Sequence, residues 1–382
     1  MSYFFVIFLS LYGLVNFYVI KRMFQVIPLA PLPVKIVLII VFISCAASYI
    51  LSKTLLSTLN NWVYDWFALI GSYWFAVILY SFLLCLVYDI VRLLRYIIIA
   101  AGRGSIRIPL PDGIIMLVFS IVVVIAIITY GYYNLRDIKE KYYSFEISNS
   151  KHENETLRVF FFSDAHITSL NNGKMLRKIL GLIEKNKPDL VLLGGDILDD
   201  KFANLERIGV GTLLQKFKAP LGVYAIPGNH EYISGYKEAS NYLQSNGIPI
   251  LRDSVVAIND LIQIIGRDDQ SSTRFWGKKR KTLDELFEGV DKNIPSILLD
   301  HQPFNLESVV RFSPAIQLSG HTHSGQMFPF NIVTKWIYEL RDGYLRKGNT
   351  HFIVSSGVSG WGPPIRTSSD SEVIIIDIKF TK

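Results

Sequence analysis

The sequence predicts a membrane-embedded helical region followed by an α/β domain in which helices flank two mixed β-sheets. Three observations support this fold class. The 382 residues are 50% hydrophobic, and the mean hydropathy of +0.32 is high for a soluble enzyme. Four long apolar stretches lie before residue 133, and strand-like and helix-like segments alternate from about residue 145 onward. We therefore expect a four-helix transmembrane anchor at 1–144 and a folded α/β domain at 145–382.

The four apolar stretches are each about long enough for a hydrocarbon core, which needs around 20 residues. They cover residues 3–20, 36–51 with an alternative end at 59, 66–88 and 114–130. No Lys or Arg precedes the first stretch and no cleavage site of small residues follows it, so we expect a retained span and not a signal peptide. Asp65 and Asp89 stand only at the ends of the third stretch, which favours an anchor over a transporter.

Basic residues in the short loops predict the orientation of the spans. Cytoplasmic loops carry an excess of Lys and Arg. The basic loops follow the first span (Lys21, Arg22, Lys35) and the third (Arg92, Arg95, Arg103, Arg107), whereas the loop between them holds only Lys53. Four spans with the basic loops inside the cell place both termini outside, so the α/β domain is expected to be extracytoplasmic. Loss of one span would reverse this orientation.

Charge and cysteine content narrow the choice of partners. The net charge of +7 divides into +6 for residues 1–144 and +1 for residues 145–382. The basic excess belongs to the membrane region, so no nucleic-acid partner is expected. Both cysteines, Cys45 and Cys85, lie in predicted spans, so a metal in the α/β domain must be held by His, Asp, Asn or Glu. The sequence indicates no protein partner.

The α/β domain is predicted from strands that each run into a polar loop. Strands are expected in LRVFFFSDAHI (157–167), PDLVLLGGD (188–196) and LGVYAIPGNHE (221–231), with helices at 173–187 and about 204–217 between them. A hairpin is expected to turn at Asn259 and Asp260. Further strands are expected in IPSILLDHQP (294–303), PAIQLSGHTHSG (314–325), HFIVSSGVSG (351–360) and EVIIIDIKF (372–380).

Five successive strands end at residues that can bind a metal. These are Asp164 and His166, Asp196, Asn229 and His230, His301, and His321 and His323. Taken singly, Asp164 could cap a turn, Asn229 after a glycine could be a turn residue, and His301 could be a surface histidine. Because open α/β sheets bind ligands at the carboxyl ends of their strands, the joint pattern favours one shared crevice.

These residues resemble a known family. The blocks Asp164-x-His166, Gly195-Asp196, Gly228-Asn229-His230-Glu231, His301 and Gly320-His321-Thr322-His323 are similar, in order, to the five motifs of calcineurin-like metallophosphoesterases. The resemblance covers about residues 157–380 and implies an αββα sandwich. GHTHSGQ resembles the membrane-associated branch, which includes bacterial proteins and transmembrane metallophosphoesterases, although Ser324 stands where that branch usually has glycine.

The resemblance also implies two divalent metal ions and their ligands. Asp196 is expected to bridge the ions; Asp164, His166 and His323 would complete one site, and Asn229, His301 and His321 the other. Manganese is favoured, with iron, zinc or magnesium as alternatives. A metal-bridging hydroxide is the expected nucleophile.

The resemblance also implies a role for His230, and the positions of three further residues in the sequence make them candidates for supporting roles. His230 is expected to be catalytic, stabilising charge on the phosphate or protonating the leaving oxygen. Glu231 would either orient a neighbouring group or lie on the surface. Asp300 and Arg366 are candidates for supporting a ligand or contacting phosphate.

Two segments of the α/β domain are candidates for contact with a bilayer. Residues 274–281 (RFWGKKRK) combine five cations with two aromatics, and residues 327–340 (MFPFNIVTKWIYEL) follow His323 directly. The alternatives are a solvated loop for the first and core packing for the second.

The expected function is hydrolysis of a phosphodiester or pyrophosphate bond by a membrane-anchored enzyme, on a lipid-linked or amphiphilic phosphate ester, with membrane lipids as neighbours. The alternatives are a phosphomonoesterase or phosphoprotein phosphatase, and an inactive phosphate-binding scaffold.

Overall fold

A computed structural model describes residues 2–55, 62–101, 113–171 and 173–382. The chain divides into two compact units, Met1–Gly131 and Tyr132–Lys382. The division expected at 144/145 lies within the first strand of the second unit, Ile138–Ser148. This strand was not predicted, although residues 143–148 (YSFEIS) alternate apolar and polar; the three consecutive charges in its first half, Lys139, Glu140 and Lys141, obscure the pattern.

The described part of the first unit contains four helices that are long and apolar enough to cross a membrane, in the predicted number and order. They are α1 (Ser2–Val26), α2 (Leu32–Lys53), α3 (Trp62–Ala100) and α4 (Gly113–Arg136). The alternative end of the second span at residue 59 lies outside the described residues, as do Arg103 and Arg107. The chain is therefore a multi-pass membrane protein.

The helix of the third predicted span is longer than that span. It comprises 39 residues from Trp62 to Ala100, so Asp89 lies within a helix. Its carboxylate pairs with Arg22 of α1 and accepts a hydrogen bond from the Tyr18 hydroxyl at 2.5 Å. A charge in an apolar setting needs such partners, since desolvation without compensation is costly.

The second unit contains two mixed sheets. The first has the order β1–β11–β2–β3–β4, where β1 is Ile138–Ser148, β2 is Thr156–Phe162, β3 is Leu190–Leu193, β4 is Val223–Ala225 and β11 is Ser371–Thr381. The second has the order β5–β6–β7–β8–β10–β9, where β5 is Ser254–Ile258, β6 is Ile262–Gly266, β7 is Ser296–Leu299, β8 is Ile316–Ser319, β9 is Gly343–Lys347 and β10 is Thr350–Val354. The hairpin predicted at Asn259 and Asp260 is the antiparallel pair β5–β6.

Nine helices complete the described part of this unit. They are α5 (Lys174–Asn186), α6 (Phe202–Arg207), α7 (Val210–Leu214), α8 (Asn229–Ser234), α9 (Tyr236–Ser245), α10 (Ser271–Trp276), α11 (Leu283–Phe287), α12 (Leu306–Val310) and α13 (Phe330–Ile337). The single helix expected at 204–217 is two short helices, because Gly209 takes a left-handed backbone (φ 71°) between them.

The hydrophobic core of this unit consists of three clusters. Side chains alternate between the two faces of each strand, and this decides which cluster a residue joins. Val159 and Phe161 of β2 point between the sheets, in one cluster with Ile264 and Leu299 of the second sheet. On the other face of β2, Phe160 and Phe162 share a cluster with the buried stripe of α5. A third cluster joins the outer face of the second sheet to α11 and α12. The predicted arrangement of two mixed sheets flanked by helices is confirmed.

Candidate metal centre

The loops that follow five strands meet at one edge of the sandwich. β2, β3 and β4 are parallel neighbours in the first sheet, and β7 and β8 are parallel neighbours in the second. Their carboxyl ends therefore lie together within each sheet. All eight residues expected at the site stand at these ends: Asp164, His166, Asp196, Asn229, His230, His301, His321 and His323.

Three of these side chains form what we call the first cluster: Asp164, His166 and His323. One ligand atom from each lies within 4.8 Å of the others. The Nε2 atoms of the two histidines are 3.1 Å apart, and His323 Nε2 is 3.6 Å from an Asp164 carboxylate oxygen. Asp164 is completely buried, and its carboxylate accepts the backbone N–H of His321 at 3.0 Å.

The second cluster consists of Asp196, His301 and His321, again with ligand atoms within 4.8 Å. His301 Nδ1 lies 2.7 Å from the carbonyl oxygen of Gly194. A carbonyl can only accept, so Nδ1 must carry the proton, and Nε2 presents its lone pair when the ring is neutral. That Nε2 atom faces an Asp196 carboxylate oxygen at 3.1 Å, an arrangement that needs a positive charge between the two atoms.

Asp196 connects the two clusters. The same oxygen, Oδ2, lies 3.1 Å from His301 Nε2 in the second cluster and 3.8 Å from His166 Nε2 in the first. Burial raises the pKa of this carboxyl group, but the surrounding histidines lower it well below its ordinary value. The group is therefore an anion placed between two sets of nitrogen donors.

The two residues before Asp196 must be glycines for neighbouring segments to come this close to it. Gly195 has a left-handed backbone (φ 91°), and a Cβ there would lie 2.8 Å from both Gly228 N and His301 Nδ1. A Cβ on Gly194 would lie 2.6 Å from the ring of Phe161. A side chain at residue 195 would push away the loops after β4 and β7, and one at residue 194 would push away Phe161 of β2.

The donor atoms fit divalent cations. His301 Nε2 and Asn229 Oδ1 are buried and have no hydrogen-bond partner within the described residues. An unsatisfied buried polar atom costs about 1–3 kcal/mol, so such atoms in a native site call for a ligand. Imidazole, carboxylate and amide donors without sulfur suit Mn, Fe, Zn or Mg.

Comparison with known proteins gives the same result. Residues 157–325 match the family described as calcineurin-like phosphoesterase. An uncharacterized metallophosphoesterase of Aquifex aeolicus is 31% identical over 226 residues, which cover 58% of this chain and 85% of that protein. The chain belongs to the calcineurin-like phosphoesterase family. The family resemblance of the motif blocks is thereby confirmed.

Two further relatives extend the comparison. This phosphoesterase is 32% identical over 224 residues to an uncharacterized metallophosphoesterase of Helicobacter pylori strain J99, covering 57% of this chain and 58% of the relative. It is 29% identical over 234 residues to the Bos taurus "Transmembrane protein with metallophosphoesterase domain", covering 57% of this chain and 52% of the relative. The match thus spans little more than half the length of these two relatives.

His230 of the phosphoesterase is held by a carboxylate that the sequence analysis missed. Its Nδ1 lies 2.8 Å from Asp199 Oδ1, and its backbone N–H donates to Asp196 Oδ1 at 2.8 Å. Burial lowers the pKa of His230, but Asp196 and Asp199 raise it to about 9. The signal that pointed to Asp199 was its position three residues after Asp196, in the same loop at the end of β3.

Glu231 does not lie on the surface, so that alternative is wrong. Its carboxylate is completely buried and accepts backbone N–H groups of Asp196 (2.9 Å), Ile197 (2.7 Å), Leu198 (3.0 Å) and Gly228 (2.8 Å). Burial raises the pKa of this carboxyl group. Glu231 therefore orders the loop that carries Asp196.

Arg366 and Asp300 support the loops around the centre. Arg366 is completely buried, donates to the carbonyl oxygens of Ser359 (3.0 Å) and Asp370 (2.7 Å), and places Nη2 3.2 Å from His323 Nδ1. The buried carboxylate of Asp300 pairs with Arg267 at 2.8 Å and with Arg280 at 3.1 Å. Neither side chain is exposed enough to contact phosphate in solution.

Proposed function

We propose that the α/β domain is a dinuclear-metal-dependent phosphohydrolase that cleaves a phosphodiester or pyrophosphate bond. The observation that carries this proposal is the position of Asp196. One of its carboxylate oxygens, Oδ2, faces a histidine of each cluster. In the proposal, the first cluster holds one ion, the second cluster and Asn229 hold the other, and Asp196 is shared.

The protein's own groups define the rest of the mechanism. Two divalent ions, when bound, supply Lewis-acid activation of water and of phosphoryl oxygens. Asp199 keeps His230 in one orientation, with Nδ1 toward the carboxylate, so Nε2 is left for the substrate. With a pKa of about 9, His230 is protonated at neutral pH and donates its Nε2 proton to the leaving oxygen.

Aromatic side chains next to each cluster support a diester. Trp361 is half exposed, and its ring centroid lies 5.7 Å from that of His230, which in turn lies 4.6 Å from His166 of the first cluster. The ring of Tyr338 lies 6.3 Å from His321 of the second cluster. A diester or pyrophosphate offers two organic substituents for these two rings, whereas a monoester offers one.

An amphiphilic or lipid-linked substrate is supported by the way the domain is attached. One residue, Asp137, separates α4, a candidate span, from strand β1. The helix α13, in the predicted contact segment 327–340, has no buried residue, so core packing of that helix is wrong. In the other predicted contact segment, 274–281, two side chains contact the domain itself. Arg280 pairs with Asp300, and the ring centroid of Trp276 lies 4.5 Å from the guanidinium of Arg252.

Two further parts of the proposal concern the metal and the side of the membrane. We propose manganese as the working metal, with iron, zinc and magnesium as alternatives. We place the catalytic domain outside the cytoplasm, because the basic loops follow the first and third spans. A reporter fused to the C-terminus tests this placement: activity of a cytosol-restricted reporter rejects it.

The decisive experiment compares two soluble esters on the full-length protein in detergent with Mn²⁺. We expect kcat/KM for an aryl phosphate diester to exceed that for the matched monoester by about tenfold or more, or ~1.4 kcal/mol. A monoester preference would identify a phosphomonoesterase or phosphoprotein phosphatase instead. Absence of turnover with two ions bound would identify a phosphate-binding scaffold.

A further inference from the structure

Helix α13 exposes its apolar side chains and half-buries its polar ones, the reverse of an ordinary surface helix. Its apolar residues point to solvent: Phe330, Ile332, Val333, Trp336 and Ile337 are exposed by 42–81%, with Trp336 the most exposed. Its half-buried positions are instead Asn331 and Thr334, with Tyr338 next in the same register. A helix on a soluble surface buries its apolar stripe and exposes its polar one.

Polar contacts hold this helix to the domain, next to the candidate metal centre. Arg341 donates to the Asn331 carbonyl oxygen at 2.6 Å and pairs with Asp342 at 2.8 Å. Asp342 accepts the Ser324 hydroxyl at 2.7 Å, one residue after the metal-ligand candidate His323. The helix is thus positioned by the loop after β8, which carries His323 of the first cluster and His321 of the second.

The charges around the exposed face are compatible with a lipid head-group region. Residues 330–337 contain no acidic residue and one exposed cation, Lys335. The nearest following acid, Glu339, pairs with Lys347 at 2.5 Å. Tryptophan favours the membrane–water interface, and a cation on the same helix favours anionic lipid.

The chain's own candidate spans make a bilayer the expected partner for this face. Within the described residues, four helices are long and apolar enough to cross a membrane, and one residue joins α4 to β1. Exposed apolar patches of this kind mark interaction sites, and about 25 cal/mol is gained for each Å² of apolar surface removed from water. A bilayer interface therefore accounts for both the apolar outer face and the absence of acids.

We propose that α13 lies in the bilayer interface with Phe330, Val333, Trp336 and Ile337 toward the acyl chains. The loop after β8, which carries His321 and His323, then lies at the level of the lipid head groups. This proposal does not depend on the phosphohydrolase activity.

Fluorescence quenching by labelled lipids tests the position of the helix. The full-length protein with Cys45→Ser and Cys85→Ser receives one cysteine, Val333→Cys, and an environment-sensitive NBD label, in nanodiscs of phosphatidylcholine and phosphatidylglycerol with one copy per disc. The matched control is Lys292→Cys, in the exposed loop that precedes β7, at the opposite end of that strand from His301. We expect lipids with a shallow doxyl group to quench about half of the signal at residue 333 and almost none at residue 292.

A second pair of variants separates helix docking from a general effect of charge. Ile337→Glu should reduce the quenching at residue 333 at least about twofold, since a carboxylate on the docking face opposes insertion. Ile233→Glu is the control, because Ile233 is as exposed as Ile337 (55% and 56%) but lies on α8. A label at residue 333 that stays unquenched in single-copy discs overturns the proposal. Quenching or a blue shift that requires two copies per disc overturns it too, in favour of a second copy on this face.

Discussion

The two clusters of the candidate centre differ in what orients their histidines. In the second cluster, His301 donates Nδ1–H to a main-chain carbonyl, that of Gly194. In the first cluster, His323 is approached by the side chain of Arg366 at 3.2 Å, and His166 Nδ1 lies 3.4 Å from an Asp199 carboxylate oxygen. A backbone carbonyl therefore orients His301 of the second cluster. The histidines of the first cluster depend on side chains from other parts of the sequence, which substitution can remove.

The electrostatics of the clusters differ in the same way. Burial lowers the pKa of both His301 and His323. Asp196 overcomes this at His301 and raises its pKa well above the ordinary value, whereas His166 and Arg366 help keep the pKa of His323 well below it. Even without an ion, the second cluster therefore favours the positively charged form of His301, whereas the first favours the neutral form of His323.

The largest expected effect comes from the residue that the clusters share. Asp196→Asn removes the negative charge facing both, so we expect loss of both ions and a fall in kcat/KM of about 10³-fold or more, ~4 kcal/mol. Elemental analysis and turnover of an aryl phosphodiester measure this, with an unchanged circular dichroism spectrum as the control for folding. Two retained ions with normal turnover would contradict the shared role of Asp196.

Single-cluster variants test whether the clusters are separate sites. His166→Ala should remove only the ion of the first cluster and His321→Ala only that of the second, each with about 10²- to 10³-fold lower turnover. The measurement is metal stoichiometry after dialysis, with one ion per chain expected for both variants. Loss of two ions from either variant would show that the clusters bind as one unit.

Asp199→Asn should lower turnover by about 10²-fold while the ion of the second cluster remains, because it alters the orientation and charge of His230. The ion of the first cluster should bind more weakly, since Asp199 also lies 3.4 Å from His166 Nδ1. Turnover and metal content are measured together. The matched control is Asp200→Asn: that neighbouring carboxylate accepts the Ser169 N–H at 2.8 Å and the Asn204 side chain at 2.8 Å, away from His230. This control should reduce stability but leave the turnover of folded protein unchanged. Equal losses for both variants would argue against a specific role for Asp199.

The smallest effect is expected from the groups behind the histidines. Arg366→Lys should weaken the ion of the first cluster by about tenfold, because lysine cannot reproduce the guanidinium's contacts around His323. Titration of the metal-free protein with Mn²⁺ measures the two affinities. Arg267→Lys is the comparison: Arg267 pairs with Asp300, the residue before His301 of the second cluster. It should change less, because Arg280 also pairs with Asp300 and a backbone carbonyl orients His301. A larger effect of Arg267→Lys would reverse the contrast between the clusters.

The candidate donors could be predicted from sequence because each follows a short apolar strand. In parallel strands, periodicity and chain direction suffice to place such residues at one edge of a sheet. Asp199 and the buried role of Glu231 could not be predicted this way. The partner of Asp199 is a side chain of another segment, and three of the four backbone N–H groups that bind Glu231 come from residues 196–198. Strand β1 is identified by its pairing with β11, from Ile138↔Ser371 to Ser148↔Thr381, which joins residues far apart in the chain.

The sequence by itself determined the four apolar helices, the strand–loop rhythm of the α/β domain and the chemical identity of the donors. These properties depend on local hydropathy, side-chain periodicity and residue type. Only the tertiary structure decided that Asp196 lies between two clusters, that Arg366 is buried against His323, and that α13 turns its apolar side outward. Each of these depends on which segments pack together, and burial and electrostatic partners arise only when distant parts of the chain come into contact.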